Sequence, residues 1–120
     1  MSELIKTRLR LIRVDGTTQE ETRELPPEPT YEQLRRYVQP LIGGGWMERV
    51  RVFIAFDQGG TPGYLDMFVD EASAISDLPV NWPATEIYRN NVMHHEPGTN
   101  AEGLPAIYGP AVLFDRRVWF

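Results

Sequence analysis

The stretch "LIGGGWMERVRVF" (Leu41–Phe53) decides the fold, because the periodicity of the chain changes across its three consecutive glycines. Upstream, Tyr31, Leu34, Val38 and Leu41 recur at helical spacing, and Thr30 with Gln33 forms a capping-box pattern at the start of that run. Pro40 would clash with the carbonyl of Arg36 in a continuing helix, so the helix is expected to end or kink near Gln39. Downstream, Val50, Val52, Ile54 and Phe56 alternate with Arg49, Arg51, Phe53 and Ala55, which is the period of a strand. The glycines therefore close a helix and launch a strand. Nucleotide-cradling glycine loops precede a helix, where free N–H groups and the positive dipole end meet the anion; a loop that follows a helix meets carbonyls instead. The expectation is a backbone hinge with Trp46 at the rim of the core.

Working outward, Lys6, Arg8 and Arg10 alternate with Ile5, Thr7, Leu9 and Leu11 in a first strand. Asp15-Gly16 signals a hairpin, so Gln19–Leu25 is expected to pair back as an exposed edge strand, with Glu20, Glu21 and Glu24 opposite the cations. After "DQGGTPG" (Asp57–Gly63), Leu65, Met67 and Val69 alternate with Asp66, Phe68 and Asp70 and complete a second hairpin. Residues 71–79 are weakly patterned and suit a short helical turn. A second helix is expected to start at Asn81 or Trp82, with Pro83 in its first turn, Ala84, Ile87 and Tyr88 buried, and an end at Asn90-Asn91. "HHEPGTNAEGLP" then reads as a polar loop, and Ala106–Phe114 as a last apolar strand, continued by "VWF". The order predicts an α+β fold: a mainly antiparallel sheet of about five strands with two helices packed on one face.

The 120 residues suit a single domain spanning 1–120. A net charge of -5 makes non-specific nucleic-acid binding an unfavourable function, since phosphate neutralisation needs clustered cations. With no cysteine, disulfides, thiolate metal sites and cysteine nucleophiles are excluded. Charges interrupt the apolar residues at the N-terminus and no stretch approaches spanning length, so a cytoplasmic, membrane-free protein is expected.

Candidate chemistry is sparse. His94, His95 and Glu96 form the one histidine cluster, and adjacent histidines can share a metal only in an irregular loop; this gives the alternative reading of a metal-dependent hydrolase. Asp66 and Asp70 alternate on one strand face and are expected to be solvated or paired with Arg49 and Arg51. Arg35 and Arg36 could join those arginines in a phosphate-binding patch. Asn81 suits a helix cap or a ligand contact, and Trp46 and Trp82 flank element junctions where a flat aromatic anchors a partner or stacks a base; Trp119 is expected in core or rim.

The succession "LRRYVQPLIGGGWMERVRV", "YLDMFVDEASAISDLPVN", "ATEIYR" and "IYGPAVLF" resembles a family of small uncharacterised phage and bacterial proteins, catalogued as a domain of unknown function. Its motifs fall on Gly43 to Glu48, Val69 to Glu71, Leu78 to Asn81, Ala84 and Gly109, whereas the third glycine, the His94–Gly103 loop and the C-terminal "DRRVWF" depart from it. The resemblance implies a phage or mobile-element setting and no particular activity. The sequence reading leans away from an enzyme and needs no cofactor. It favours a small binding protein acting through contact with a partner protein or by sequestering a small anionic ligand such as a nucleotide. Trp46, Arg49, Arg51, Asn81 and Trp82 are its candidate surface, and a structural accessory subunit is the third reading. An exposed edge strand and exposed aromatics also favour a homodimer.

Overall fold

The computed structural model describes residues 3–43, 46–52, 65–70, 78–116 and 118. The chain begins with the hairpin that Asp15-Gly16 announces: β1 (Ile5–Ile12) pairs antiparallel with β2 (Thr18–Leu25). Gly16 takes a φ of 89°, which a side chain would strain. The Asp15 carboxylate accepts from both the N–H and the hydroxyl of Thr17, at 2.9 and 2.6 Å. Those bonds, the hydroxyl's above all, hold the Asp15 carboxyl below its ordinary value. A carboxyl with a depressed folded pKa adds stability above its unfolded pKa and loses it as pH falls through the folded value. Carbon-13 NMR is expected to show Asp15 titrating below the usual aspartate range, and Asp15→Asn should keep the turn while removing that acid-side loss. A normal Asp15 midpoint would contradict the turn geometry.

Register separates the hairpin charges. Lys6 lies opposite Glu24 and Arg10 opposite Glu20, where the Arg10–Glu20 ion pair closes to 2.7 Å. Glu21 departs from the expected pairing: it faces Leu9, on the other side of the ribbon, because strand parity puts 20 and 21 on opposite faces. Arg8 is met instead by Asp115, from beyond the last strand.

Helix α1 (Tyr31–Val38) starts as its sequence dictates, with the Thr30 hydroxyl and the Gln33 side chain each bonding the other's backbone N–H. It ends before Pro40, and Gly43, at φ 102°, makes the left-handed reversal. Strands β3 (Met47–Val52) and β4 (Leu65–Asp70) then pair antiparallel; the expected continuation of β3 through Phe56, the 57–63 loop and the turn at 71–77 lie outside the described residues. Helix α2 (Trp82–His95) and β5 (Ala111–Phe114) complete the set. The sheet order is β2-β1-β5-β4-β3, antiparallel at each junction. An antiparallel five-stranded sheet with two helices is the α+β arrangement expected.

The helices do not share a face, however. Leu9, Leu11, Phe68, Val112 and Phe114 pack with Leu34, Val38 and Ile42 from the α1 side, whereas Ile12, Met67, Val69, Ala111 and Leu113 pack with Ala84, Ile87 and Tyr88 from α2. The cause is written in β5: all four of its residues are buried, so a continuous apolar run at the middle of the sheet needs cover on both sides. One layer of helices would have left Ala111 and Leu113 in water. Helix α2 also runs past Asn90-Asn91 to His95, with Asn91 itself buried. Packing there overrides the weak helix preference of asparagine.

Candidate functional site

Of the residues singled out from sequence, Asn81 is the most constrained. Its Oδ1 accepts from the Ala84 N–H at 3.1 Å as the cap of α2, and Nδ2 donates to the carbonyls of Ile12 and Gly109, both at 2.9 Å. The backbone joins in, since the Asn81 N–H donates to Ile107 O and its carbonyl accepts from Thr85 N–H and hydroxyl. The Thr85 hydroxyl in turn accepts from the Ile107 N–H at 2.9 Å. Asn81 and Thr85 are fully buried. A ligand contact is therefore the wrong role for Asn81: its amide ties the end of β1, the start of β5 and the first turn of α2 together. Half of this was legible, because the cap is a local pattern and the two carbonyls come from distant segments.

The two tryptophans remain in solvent, Trp46 at 67% exposure and Trp82 at 58%. Both mark one end of the sheet, where Glu48, Val69, Ala111 and Ile12 lie in register from strand to strand. They occupy different columns: Trp82 opens α2 above the β1–β5 junction to which Asn81 is tied, and Trp46 leads into β3 at the edge. Met47 turns into the core on the α1 side, which leaves Trp46 outward. Trp119 lies outside the described residues.

Register puts position 49 opposite Phe68 and position 51 opposite Asp66, on the α1 face together with Asp70. The Arg51 side chain lies outside the described residues; Arg49 and Asp70 are half-buried, and both, like Asp66, are engaged. Of the two expectations for Asp66, solvated or paired with the β3 arginines, the solvated one does not hold. Asp66 is fully buried, and its Oδ2 accepts the Val118 N–H at 2.8 Å, so it anchors the segment after β5. Sequence pattern could not foresee a donor that arrives from the chain terminus. Arg116 fastens the same segment through Thr7 Oγ1 and the carbonyls of Pro26 and Pro27. Arg35 does not join Arg49 in a patch: it bonds Glu32 at 2.9 Å and Gln39, and the Glu32 carboxylate raises its already high pKa. Arg36 instead borders a cleft of about 210 Å³ with Leu4, Glu24 and Tyr37.

His94 and His95 lie in the last turn of α2 and not in an irregular loop. Consecutive helical positions are about 100° apart around the axis, which separates the pair. Their side chains lie outside the described residues, and Glu96 is the exposed C-cap. Among the described residues no three His, Asp or Glu side chains gather in a metal-sized group.

A larger cleft, about 350 Å³, opens between β3, α2 and the segment before β5, bordered by Glu48, Val50, Tyr88, Pro105 and Ile107. Its walls are polar and apolar in similar measure, with Glu48, Arg49 and Tyr88 among the residues that border it. The sequence reading puts Tyr88 in the core and Ala106–Tyr108 in the last strand, whereas β5 starts only at Ala111 and the residues before it border the cleft. The five candidates therefore divide: Trp46, Arg49 and Arg51 belong to β3 and its approach, Trp82 stands apart on α2, and Asn81 is consumed within the fold. No helix among the described residues is long and apolar enough to cross a membrane. The resemblance to phage and bacterial proteins rests on its short motifs, and no protein family, curated protein or solved structure matches the chain.

Proposed function

We propose that this chain is a non-enzymatic binding protein that recognises a partner protein along the outer edge of β3, with Trp46 as the aromatic anchor. The observation that carries this reading is an exposed tryptophan leading directly into an edge strand. An edge strand offers a row of backbone donors and acceptors to an added strand, and a neighbouring aromatic supplies contact area at low entropic cost. The opposite edge is blunted. Strand β2 carries "TQEETREL", without an aromatic residue, and three of its four charged residues are engaged in the pairs Arg10–Glu20 and Arg23–Glu21.

Sequestration of a nucleotide has less support, because Asn81 is committed to three bonds and Trp82 stands over a different part of the sheet from Arg49. The test is site-specific photocrosslinking in the cells that make the protein. A benzophenone side chain at position 46 is expected to capture a discrete partner, and one at exposed Glu102 to capture none. Trp46→Ala should leave unfolding unchanged to within about 0.5 kcal/mol while abolishing capture from a crosslinker at Glu48. Equal capture from 46 and 102 would remove the reading.

A further inference from the structure

The β3 edge also carries information about what it accepts, and this inference rests on the strand-addition reading above. Consider first a second copy of the chain. Antiparallel self-pairing about a twofold axis normal to the sheet keeps each face in common, so residue 49 must meet residue 47, 49 or 51 of the copy. Opposing 49 to 49 sets arginine against arginine, and opposing 49 to 51 does so twice. The remaining register, 49 to 47, sets Glu48 against Glu48. Each puts like charges directly across a strand pair, which is destabilising.

A heterologous strand meets a different demand on each face. On the α1 face its nearest neighbours are positions 49 and 51, both arginine. Directly opposed opposite charges favour Asp or Glu there. On the α2 face the neighbour between them is half-buried Val50, which borders the 350 Å³ cleft with Tyr88, Pro105 and Ile107. An apolar side chain of the partner fits that position. We infer that β3 receives an extended protein segment of the pattern acid–apolar–acid, its acids opposite Arg49 and Arg51 and its central side chain beside Val50 at the mouth of the cleft.

The experiment uses the full chain, isotope-labelled, and two capped peptides that differ only in a central Asp-Val-Asp or Lys-Val-Lys, titrated while the backbone resonances of β3 are followed. The Asp peptide is expected to shift Glu48–Val52 and to bind at least about fivefold more tightly than the Lys peptide, a preference that narrows in high salt. In Arg49→Glu the order of the two peptides should reverse. If that variant does not fold, Arg49→Gln should reduce the preference without reversing it. Equal affinity of both peptides at β3 would overturn the charge pattern and leave the edge reading standing. Absence of any β3 shift with either peptide would overturn the inference, and crosslinking from position 46 would still decide the edge reading by itself. Sedimentation showing a dimer that Arg49→Glu breaks would assign the edge to a second copy and also overturn it.

Discussion

Asn81→Ala is expected to lower folding stability by about 4 kcal/mol, measured by urea denaturation at neutral pH. The removed amide makes three bonds in a fully buried position. Loss of a helix N-cap costs about 1 kcal/mol, and each buried carbonyl left without its donor costs about 1–3 kcal/mol, so the Ile12 and Gly109 carbonyls dominate the effect. Two further variants separate the contributions. Asn81→Ser keeps a capping oxygen but cannot reach both carbonyls, and should recover only about 1 kcal/mol of the loss. Asn81→Asp keeps the cap acceptor and turns a second oxygen toward the two carbonyls, which makes it the worst of the three at neutral pH. Burial against carbonyls raises a carboxyl's folded pKa, so this variant should gain stability as pH falls, when the protonated group can donate. A loss below about 1 kcal/mol in Asn81→Ala would mean that the carbonyls find other donors and that Asn81 is only a cap.

Features set by neighbouring residues were legible, and those set by distant ones were not. Gly16, the Thr30–Gln33 box and the 47–52 alternation each specify backbone geometry within a few residues, and each forms as read. The face on which α2 packs is a property of the whole sheet. Alternation in β4 told which residues share a side, yet nothing in it told that both sides are covered; that information sat in the unbroken apolar run of β5. Asp66 shows the same limit. Its pattern is that of a solvated or cross-strand-paired acid, whereas it is buried and accepts an N–H that lies 52 positions away. The candidate site divides along the same line, since Trp46 and the arginines of β3 follow from local alternation, whereas the roles of Asn81 and the 105–107 segment depend on what folds against them.

The two edges of the sheet show how the same alternation serves opposite ends. In β2 the charges close on their own neighbours, Glu20 with Arg10 on one face and Glu21 with Arg23 on the other, a device that discourages an added strand. In β3 the cations alternate with valines, and an exposed tryptophan precedes them. Charges on an edge resist pairing with a like-charged strand and favour a complementary one, so they restrict the partner and do not merely protect the surface.

Phe114→Ala is expected to cost about 4 kcal/mol, within the range for emptying a buried phenylalanine site. Phe114 is fully buried at the end of the central strand, and its ring meets that of Phe68 edge-on, with centroids 5.6 Å apart and planes at 88°. That contact adds about 0.5–1.5 kcal/mol beyond area burial, so a double-mutant cycle with Phe68→Ala should show coupling of that size. The cavity opens on one side only, because Phe114 and Phe68 belong to the cluster beneath α1. Hydrogen exchange in the variant should therefore speed most in α1, while α2, held by the Asn81 bonds on the other face, loses protection only as far as global stability falls. Uniform acceleration of both helices would show that the two clusters unfold as one unit despite packing on opposite faces. Phe68 lies opposite Arg49 in the β3–β4 pair, so the cavity left in β5 is separated from the proposed binding edge only by β4. If the edge is read through its charges, Phe114→Ala should weaken the protein without changing which of the Asp and Lys peptides it prefers.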